Sequence, residues 1–405
     1  MALERGIRNN GAAATDARPQ VRPQAEGWQQ KLGPDGRPAL QFAEPKRGKP
    51  PVHLADLTIE KRVERLVELG LPGFRAKQLS THYFVHHTSD PALMTDLPAV
   101  GRDELVAGIL PPLLTEVRRL RTDNGDTIKF LWKLHDGALV ESVLMRYPGR
   151  ITLCVSSQAG CGMNCPFCAT GQAGLTRNMS AAEIIDQVVR ANAAIAAGEL
   201  GGKKRGETTP ERVSNIVFMG MGEPMMNYKN VVEAIRKITE PEGLGMSPRR
   251  ITVSTSGIPK MIKMLADEEL KVKLAVSLHS AIDQTRNDIM PFSSKFPLTE
   301  IMESLQYWYS KTGSQITFEY CVWGGINDKD EDIRALIKYC RKVPSKVNLI
   351  QYNPIGEGKF DHRSIKAEEK YVRELEKAGI NVLVRRSRGG DIDAACGQLA
   401  NKNGA

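Results

Sequence analysis

The feature that most limits what this chain can fold into is a sustained alternation of short apolar strands with amphipathic helices, running from about residue 151 to residue 386. The strand-like runs are ITLCVSS, NIVFMG, ITVSTSG, KLAVSLHS, ITFEYCVW and KVNLIQYN. Between them lie stretches with apolar residues at helical spacing, such as SAAEIIDQVVRANAAIAA, LTEIMESLQYWYSK and DEDIRALIKYCRKV. Strands that are apolar throughout, each followed by a helix, belong to a parallel sheet covered on both faces. Six such units in a row predict an α/β fold whose sheet curls into a barrel. Six fall short of the eight that close one, so a partial (β/α)6 barrel is expected. A further strand, INVLVRR, precedes a glycine-containing tail at 387–405 that holds Cys396.

The flanks read differently. Residues 1–50 are rich in Pro, Gly, Ala and Arg and short of large apolar side chains, which predicts a basic arm with no packed core. Residues 51–120 carry helical periodicity, as in ADLTIEKRVERLVELG, where Gly70 is placed to end a helix. This is the expected accessory helical domain, read as a second RNA-binding surface. Residues 121–150 switch to period two, and TIKFLWKL and ALVESVLMRY joined by HDG predict a β-hairpin extension. Ser180 and Glu183 fit a capping box at the start of the first long barrel helix.

The N-terminus lacks the apolar core of a signal peptide, and no apolar run approaches membrane-spanning length. The expectation is a cytoplasmic protein without membrane contact, with reduced thiols. In that compartment clustered cysteines bind metal or do chemistry more often than they form disulfide frameworks. A net charge of +9 fits a polyanionic partner without requiring one.

Four of the seven cysteines fall in one short stretch, CVSSQAGCGMNCPFC, from Cys154 to Cys168. Cys161, Cys165 and Cys168 form C-x3-C-x2-C in a loop after the first barrel strand. Compact runs of thiolates hold iron–sulfur clusters, and three ligands leave one iron of a 4Fe-4S cluster open. A structural zinc site wants four closed ligands, with Cys154 as the fourth. Against zinc, Cys154 lies within an apolar strand, and no second CxxC or His pair is near. Other unusual residues also follow barrel strands, where such folds keep their chemistry. They are the GMGEP loop with Gly222 and Glu223, Ser254, the SLH run of Ser277, Leu278 and His279, and Asn353.

C-x3-C-x2-C with an aromatic before the last Cys resembles the radical S-adenosylmethionine superfamily. GMGEP is similar to that superfamily's site for the methionine amino group. CVSSQAGCGMNCPFCATGQAGLTRN, GMGEPMMNY, SLHS and RGGDIDAACGQLA together resemble the RlmN family of bacterial RNA methyltransferases, over residues 52 to 400. The resemblance implies methylation of carbon 2 of adenosine in 23S rRNA, and in tRNA as a further substrate. It implies two S-adenosylmethionine molecules per turnover and cluster ligation by Cys161, Cys165 and Cys168. Gly222, Glu223, Ser254, Ser277, Leu278, His279 and Asn353 would contact S-adenosylmethionine.

Carbon 2 of adenine lies between two ring nitrogens and is a poor nucleophile, so direct attack on a methyl sulfonium fails and a radical route is needed. By the same resemblance Cys396 first accepts a methyl group as a thiolate. That group then becomes a methylene bridge to the RNA. Glu141 takes the proton from carbon 2, and Cys154 resolves the adduct by forming a disulfide with Cys396. An electron donor and a thiol reductant are implied as partners, and the chain is read as a monomer.

The sequence departs from the family pattern at Gly390 and around Ile282 and Asp283. Cfr-type relatives, which methylate carbon 8 with the same residues, are the rival enzyme reading. A non-catalytic RNA-binding module is the rival from another class, and it leaves Cys154, Cys396 and GMGEP without use. RNA needs phosphate contacts, and the candidate basic groups are Arg118, Arg119 and Arg121; Lys203, Lys204 and Arg205; and Arg385, Arg386 and Arg388. Cys321 and Cys340, in a strand and a helix, read as core residues.

Overall fold

A computed structural model describes residues 49–201, 211–355, 360 and 364–400. The basic arm, apart from its last residues, and the Lys203–Arg205 group lie outside the described residues.

The accessory part contains α1 (Ile59–Glu68), α2 (Arg75–Phe84) and α3 (Arg102–Ile109). Helix α1 stops at Gly70, whose φ of +75° suits glycine, and the Leu71 N–H reaches back to the Leu66 carbonyl at 2.9 Å. Three antiparallel strands follow, β1 (Leu114–Thr122), β2 (Thr127–Leu134) and β3 (Leu139–Tyr147). The hairpin expected over 121–150 is therefore part of a three-stranded unit, and β1 lies mostly within the segment read as helical. A register shift between Glu116 and Arg118 breaks its alternation, which hides the strand from a period-two reading.

The barrel starts at β4 (Arg150–Cys154). A small antiparallel pair, β5 (Gln158–Gly160) and β6 (Leu175–Asn178), follows, with the one-turn helix α4 (Ala169–Gln172) between its strands. Next come α5 (Ala181–Ala196), β7 (Asn215–Phe218), α6 (Tyr228–Thr239), β8 (Ile251–Thr255) and α7 (Pro259–Asp267). Then come β9 (Lys273–Ser277), α8 (Asp283–Ile289), α9 (Leu298–Thr312), β10 (Ile316–Cys321) and α10 (Asp330–Cys340). The last are β11 (Ser345–Ile350), α11 (Ile365–Lys377) and β12 (Asn381–Arg385).

Among the described residues one ten-stranded sheet runs β1-β2-β3-β4-β7-β8-β9-β10-β11-β12. All pairings from β4 to β12 are parallel. The expected α/β partial barrel is present, with β12 as its seventh parallel strand. Its middle is fully packed: every residue of β10 is buried. The sheet ends at β1 and β12. The tail leaves β12 and returns to β1, where the Thr122 hydroxyl donates to the Asp391 carboxylate.

Helix α5 explains how the accessory part is seated. Its capping box is present as read, with the Ser180 hydroxyl accepting from Glu183 N and Glu183 accepting from Ser180 N. It is buried on nearly every face because the sheet covers one side and the accessory part the other. Its buried polar groups are partnered: Tyr83 Oη donates to Asp186 Oδ1 at 2.9 Å, and Gln187 Nε2 donates to the Ser156 carbonyl at 2.9 Å. Among the described residues no helix is long and apolar enough to cross a membrane.

Candidate active site

A cleft at the carboxyl ends of the parallel strands encloses about 990 Å³, open solvent at its mouth included. Cys161, Cys165 and Cys168 all line it. The loop that carries them is clamped between β5 and α4: Cys161 N donates to the Gly174 carbonyl at 2.8 Å and Cys168 N to Cys165 O at 3.1 Å. Gly171 allows the close approach, since a Cβ there would stand 2.9 Å from Cys165 N.

All seven cysteines are free thiols. Burial pushes the three loop thiols above their usual range, so they ionise here only against added positive charge. Iron would supply that charge, and a donor set of three thiols facing one cleft fits an iron–sulfur cluster. Among the described residues no three His, Cys, Asp or Glu side chains converge as a single-ion site. Cys154 lines a second cavity rather than the cleft, which removes it from a four-thiol zinc site. Phe167 sits between the loop and the far wall, 5.0 Å from the His279 ring and 5.3 Å from Trp323.

The GMGEP loop is stitched to the chain after β4. Met221 N donates to Ser156 Oγ at 2.8 Å, Ser157 N to the Met221 carbonyl at 2.9 Å, and Glu223 N to Gln158 Oε1 at 2.8 Å. Gly222, at φ +100°, is required twice over, because a Cβ would come within 2.5 Å of Gln158 Cβ. Glu223 is buried, and burial raises its pKa. Its carboxylate accepts from Ser256 N at 2.7 Å and from Met225 N at 3.0 Å, so it ties this loop to the end of β8.

Ser254, Ser277, His279 and Asn353 also line the cleft. Leu278 is buried beside it, and its N–H is taken by the Glu319 carbonyl at 2.9 Å. His279 sits at φ +54°, and its Nδ1 accepts from Cys321 N at 3.1 Å. Burial and the nearby Arg286 hold its pKa down at about 3, so the ring is neutral and makes contacts without carrying charge. Asn353 Nδ2 donates to Ser387 Oγ at 2.8 Å and reaches the Cys396 carbonyl at 3.4 Å.

Cys396 lines both the cleft and the second cavity, which Cys154, Met219 and Arg385 also line. Burial pushes the Cys154 thiol up to about 12; Cys396 adds to this and the Arg385 guanidinium opposes it. Arg385 is therefore not part of an open basic patch. Arg388 is also engaged, donating to the Arg146 carbonyl at 2.7 Å, while Arg119 and Arg121 pair with Glu199.

Glu141 lines neither cavity. It is buried on β3 in a small separate cavity with Arg118 and Lys129, 3.0 Å from Lys129 Nζ. Its backbone is tied to the cleft wall: Ser156 Oγ, which receives Met221 N, donates to the Glu141 carbonyl at 2.5 Å.

Two cleft residues escaped sequence reasoning. Cys321 lines the wall as well as packing in the core. Glu319 lines the cleft with its Oε2 buried and without a hydrogen-bond partner among the described residues. A Glu inside ITFEYC, a strand otherwise apolar enough to be buried on both faces, was the available signal for it.

No family model matches the chain. It is, however, 49% identical over 369 residues to the probable dual-specificity RNA methyltransferase RlmN of Rhodococcus opacus, covering 90% of this chain and 98% of that one. The chain belongs to the RlmN family. The RlmN of Thermobifida fusca is 49% identical over 363 residues, covering 89% and 98%. A radical SAM methyltransferase structure from Sphaerobacter thermophilus superimposes with a TM-score of 0.80 at 42% identity, over 86% of this chain and 99% of that one. The protein is thus a radical SAM RNA methyltransferase, and RlmN membership implies S-adenosylmethionine and a 4Fe-4S cluster.

Proposed function

We propose that this enzyme methylates carbon 2 of adenosine in the peptidyl transferase region of 23S rRNA, and in tRNA at the adenosine 3′ of the anticodon. The observation that carries the reading is the place of Cys396, whose residue forms part of both the thiol-lined cleft and the cavity of Cys154. A methyl carrier has to be served by one site and discharged at another, and Cys396 borders both.

Cys161, Cys165 and Cys168 would hold the cluster. When bound, it supplies the single electron that opens the sulfonium of S-adenosylmethionine. Gly222, Glu223, Ser254, Ser277, His279 and Asn353 shape the cleft that takes S-adenosylmethionine, and Leu278 supports it from behind. Cys396 carries the methyl group as a thioether; that group would lose one hydrogen atom to the radical drawn from S-adenosylmethionine, its carbon would bond to carbon 2 so that Cys396 tethers the RNA, and the one electron left over on the ring would pass to the oxidised cluster. Glu141 removes the proton from carbon 2. The Cys154 thiolate then attacks the Cys396 sulfur: the S–S bond forms, the S–C bond breaks, and the electron pair leaves on carbon, which takes a proton to become the methyl group. An external thiol reductant returns both cysteines to thiols, and an external donor supplies the electron.

The test is intact mass and peptide mapping of anaerobically purified protein after incubation with S-adenosylmethionine. A methyl group on Cys396 is expected, and an unmodified Cys396 on cluster-loaded protein overturns the carrier role. The variant Cys154→Ala should accumulate a covalent protein–RNA species, and clean turnover removes Cys154 from the reaction. Nucleoside analysis of the product separates carbon 2 from carbon 8.

A further inference from the structure

Lys129 stands on β2 at a position that strand alternation assigns to solvent, yet it is 5% exposed. Its Nζ lies 3.0 Å from Glu141 Oε1 and also donates to the Asp393 carbonyl at 3.1 Å. The other carboxylate oxygen, Glu141 Oε2, accepts the Ala400 N–H at 3.1 Å. Lys129 is paired in register with Val143, and Glu141 with Leu131, so the two side chains are diagonal neighbours on one face of the hairpin. One buried ion pair thus grips the tail on both sides of Cys396, at residue 393 through a carbonyl and at residue 400 through an N–H.

A buried ammonium and a buried carboxylate hold each other in place, because either one alone would be a desolvated charge. The register of β2 and β3 does not need them: Ile128, Phe130 and Trp132 fill the opposite face. What the pair provides is a polar seat for a segment that has few large side chains of its own.

We propose that Lys129 is a positioning residue that seats the Cys396-bearing tail against the Glu141 carboxylate. This builds on the reading of Glu141 as the base and Cys396 as the carrier. The seat keeps carrier and base in register. A proton taken up by Glu141 neutralises one half of the pair, and so loosens the tail at the stage when Cys396 has to be reached by Cys154.

The test uses full-length, cluster-loaded protein under anaerobic conditions, without RNA or S-adenosylmethionine. The rate of Cys396 alkylation by iodoacetamide is followed by peptide mapping. Lys129→Met is compared with Lys129→Met/Glu141→Leu, because the single change strands a buried carboxylate and can impair folding, whereas the double change leaves an apolar pair. In both, Cys396 should react about tenfold faster than in the parent, the opening expected for loss of hydrogen bonds to charged groups. The double variant should keep a melting temperature close to the parent's. Unchanged Cys396 reactivity in the double variant overturns the proposal. An equal rise at Cys321 overturns it too, since the whole barrel would then have loosened. The base role is read apart from this: Glu141→Gln with RNA accumulates the adduct if Glu141 is the base, whatever the alkylation rates show.

Discussion

The accessory helices and the C-terminal tail both pack on the same barrel, but they are held by different forces. The accessory part docks with large apolar side chains. Leu54, Leu66 and Leu79 are fully buried and Tyr83 nearly so, and each such side chain contributes about 1.5–3 kcal/mol. Arg62, also buried, donates to the Leu54 carbonyl and to Ser80 Oγ, and so closes the polar seams within that core. The tail from Gly389 to Ala400 is mostly glycine, alanine and polar residues, and Leu399 is its main buried anchor. It is held by hydrogen bonds: Ala169 N to the Gly397 carbonyl at 2.8 Å, Thr170 Oγ1 to the Leu399 carbonyl at 2.5 Å, and the Lys129–Glu141 seat. Hydrogen bonds that water can replace fix a position at little net stability, about 0.5–1.5 kcal/mol each. Apolar burial fixes a fold, and hydrogen bonds on small residues fix an address that can be left.

The sharpest way to break this contrast is Cys396→Ala. It should abolish RNA methylation, read as methyl incorporation, with no shift in the unfolding midpoint. Residual turnover would make the tail a strap and nothing more. Leu79→Ala should do the reverse. Urea unfolding should show a loss of about 2–5 kcal/mol, while the folded fraction keeps its specific activity.

Acid should act on the accessory side. Burial holds the pKa of the His53 ring down at about 4, below the ordinary 6.5 of a free imidazole. The native ring is neutral and the unfolded chain takes the proton first. The stability it contributes is therefore complete above pH 6.5 and is lost as pH falls toward 4, by up to about 3 kcal/mol. Urea unfolding across that range should show a steeper decline in the parent than in His53→Asn; equal slopes would clear His53. The smallest effect belongs to Thr170→Val. It should cost about 1 kcal/mol of local opening, seen as faster amide exchange around Gly397 with unchanged global unfolding.

The barrel was legible because its strands are apolar on both faces and its helices are amphipathic, so period and length agreed at each unit. The three loop cysteines were legible from spacing alone. Strand β1 was not, because its bulge breaks the alternation and LTEVRRLRT carries little apolar signal. The seat under the tail was not legible either. Alternation along β2 assigns Lys129 to water, and the tail that it and Glu141 contact is distant in sequence. Glu319, and the burial of Arg385, were missed for a related reason: a charged residue declares its burial only when the neighbours across the sheet are known.

The route of the tail from β12 back to β1 has one more consequence. The ends of the sheet are joined by a loop and not by paired strands. A barrel closed by strand pairing has a diameter set by strand number and stagger. Here the last stretch of the circumference is a looped segment, so no ladder of paired strands fixes the girth of the barrel.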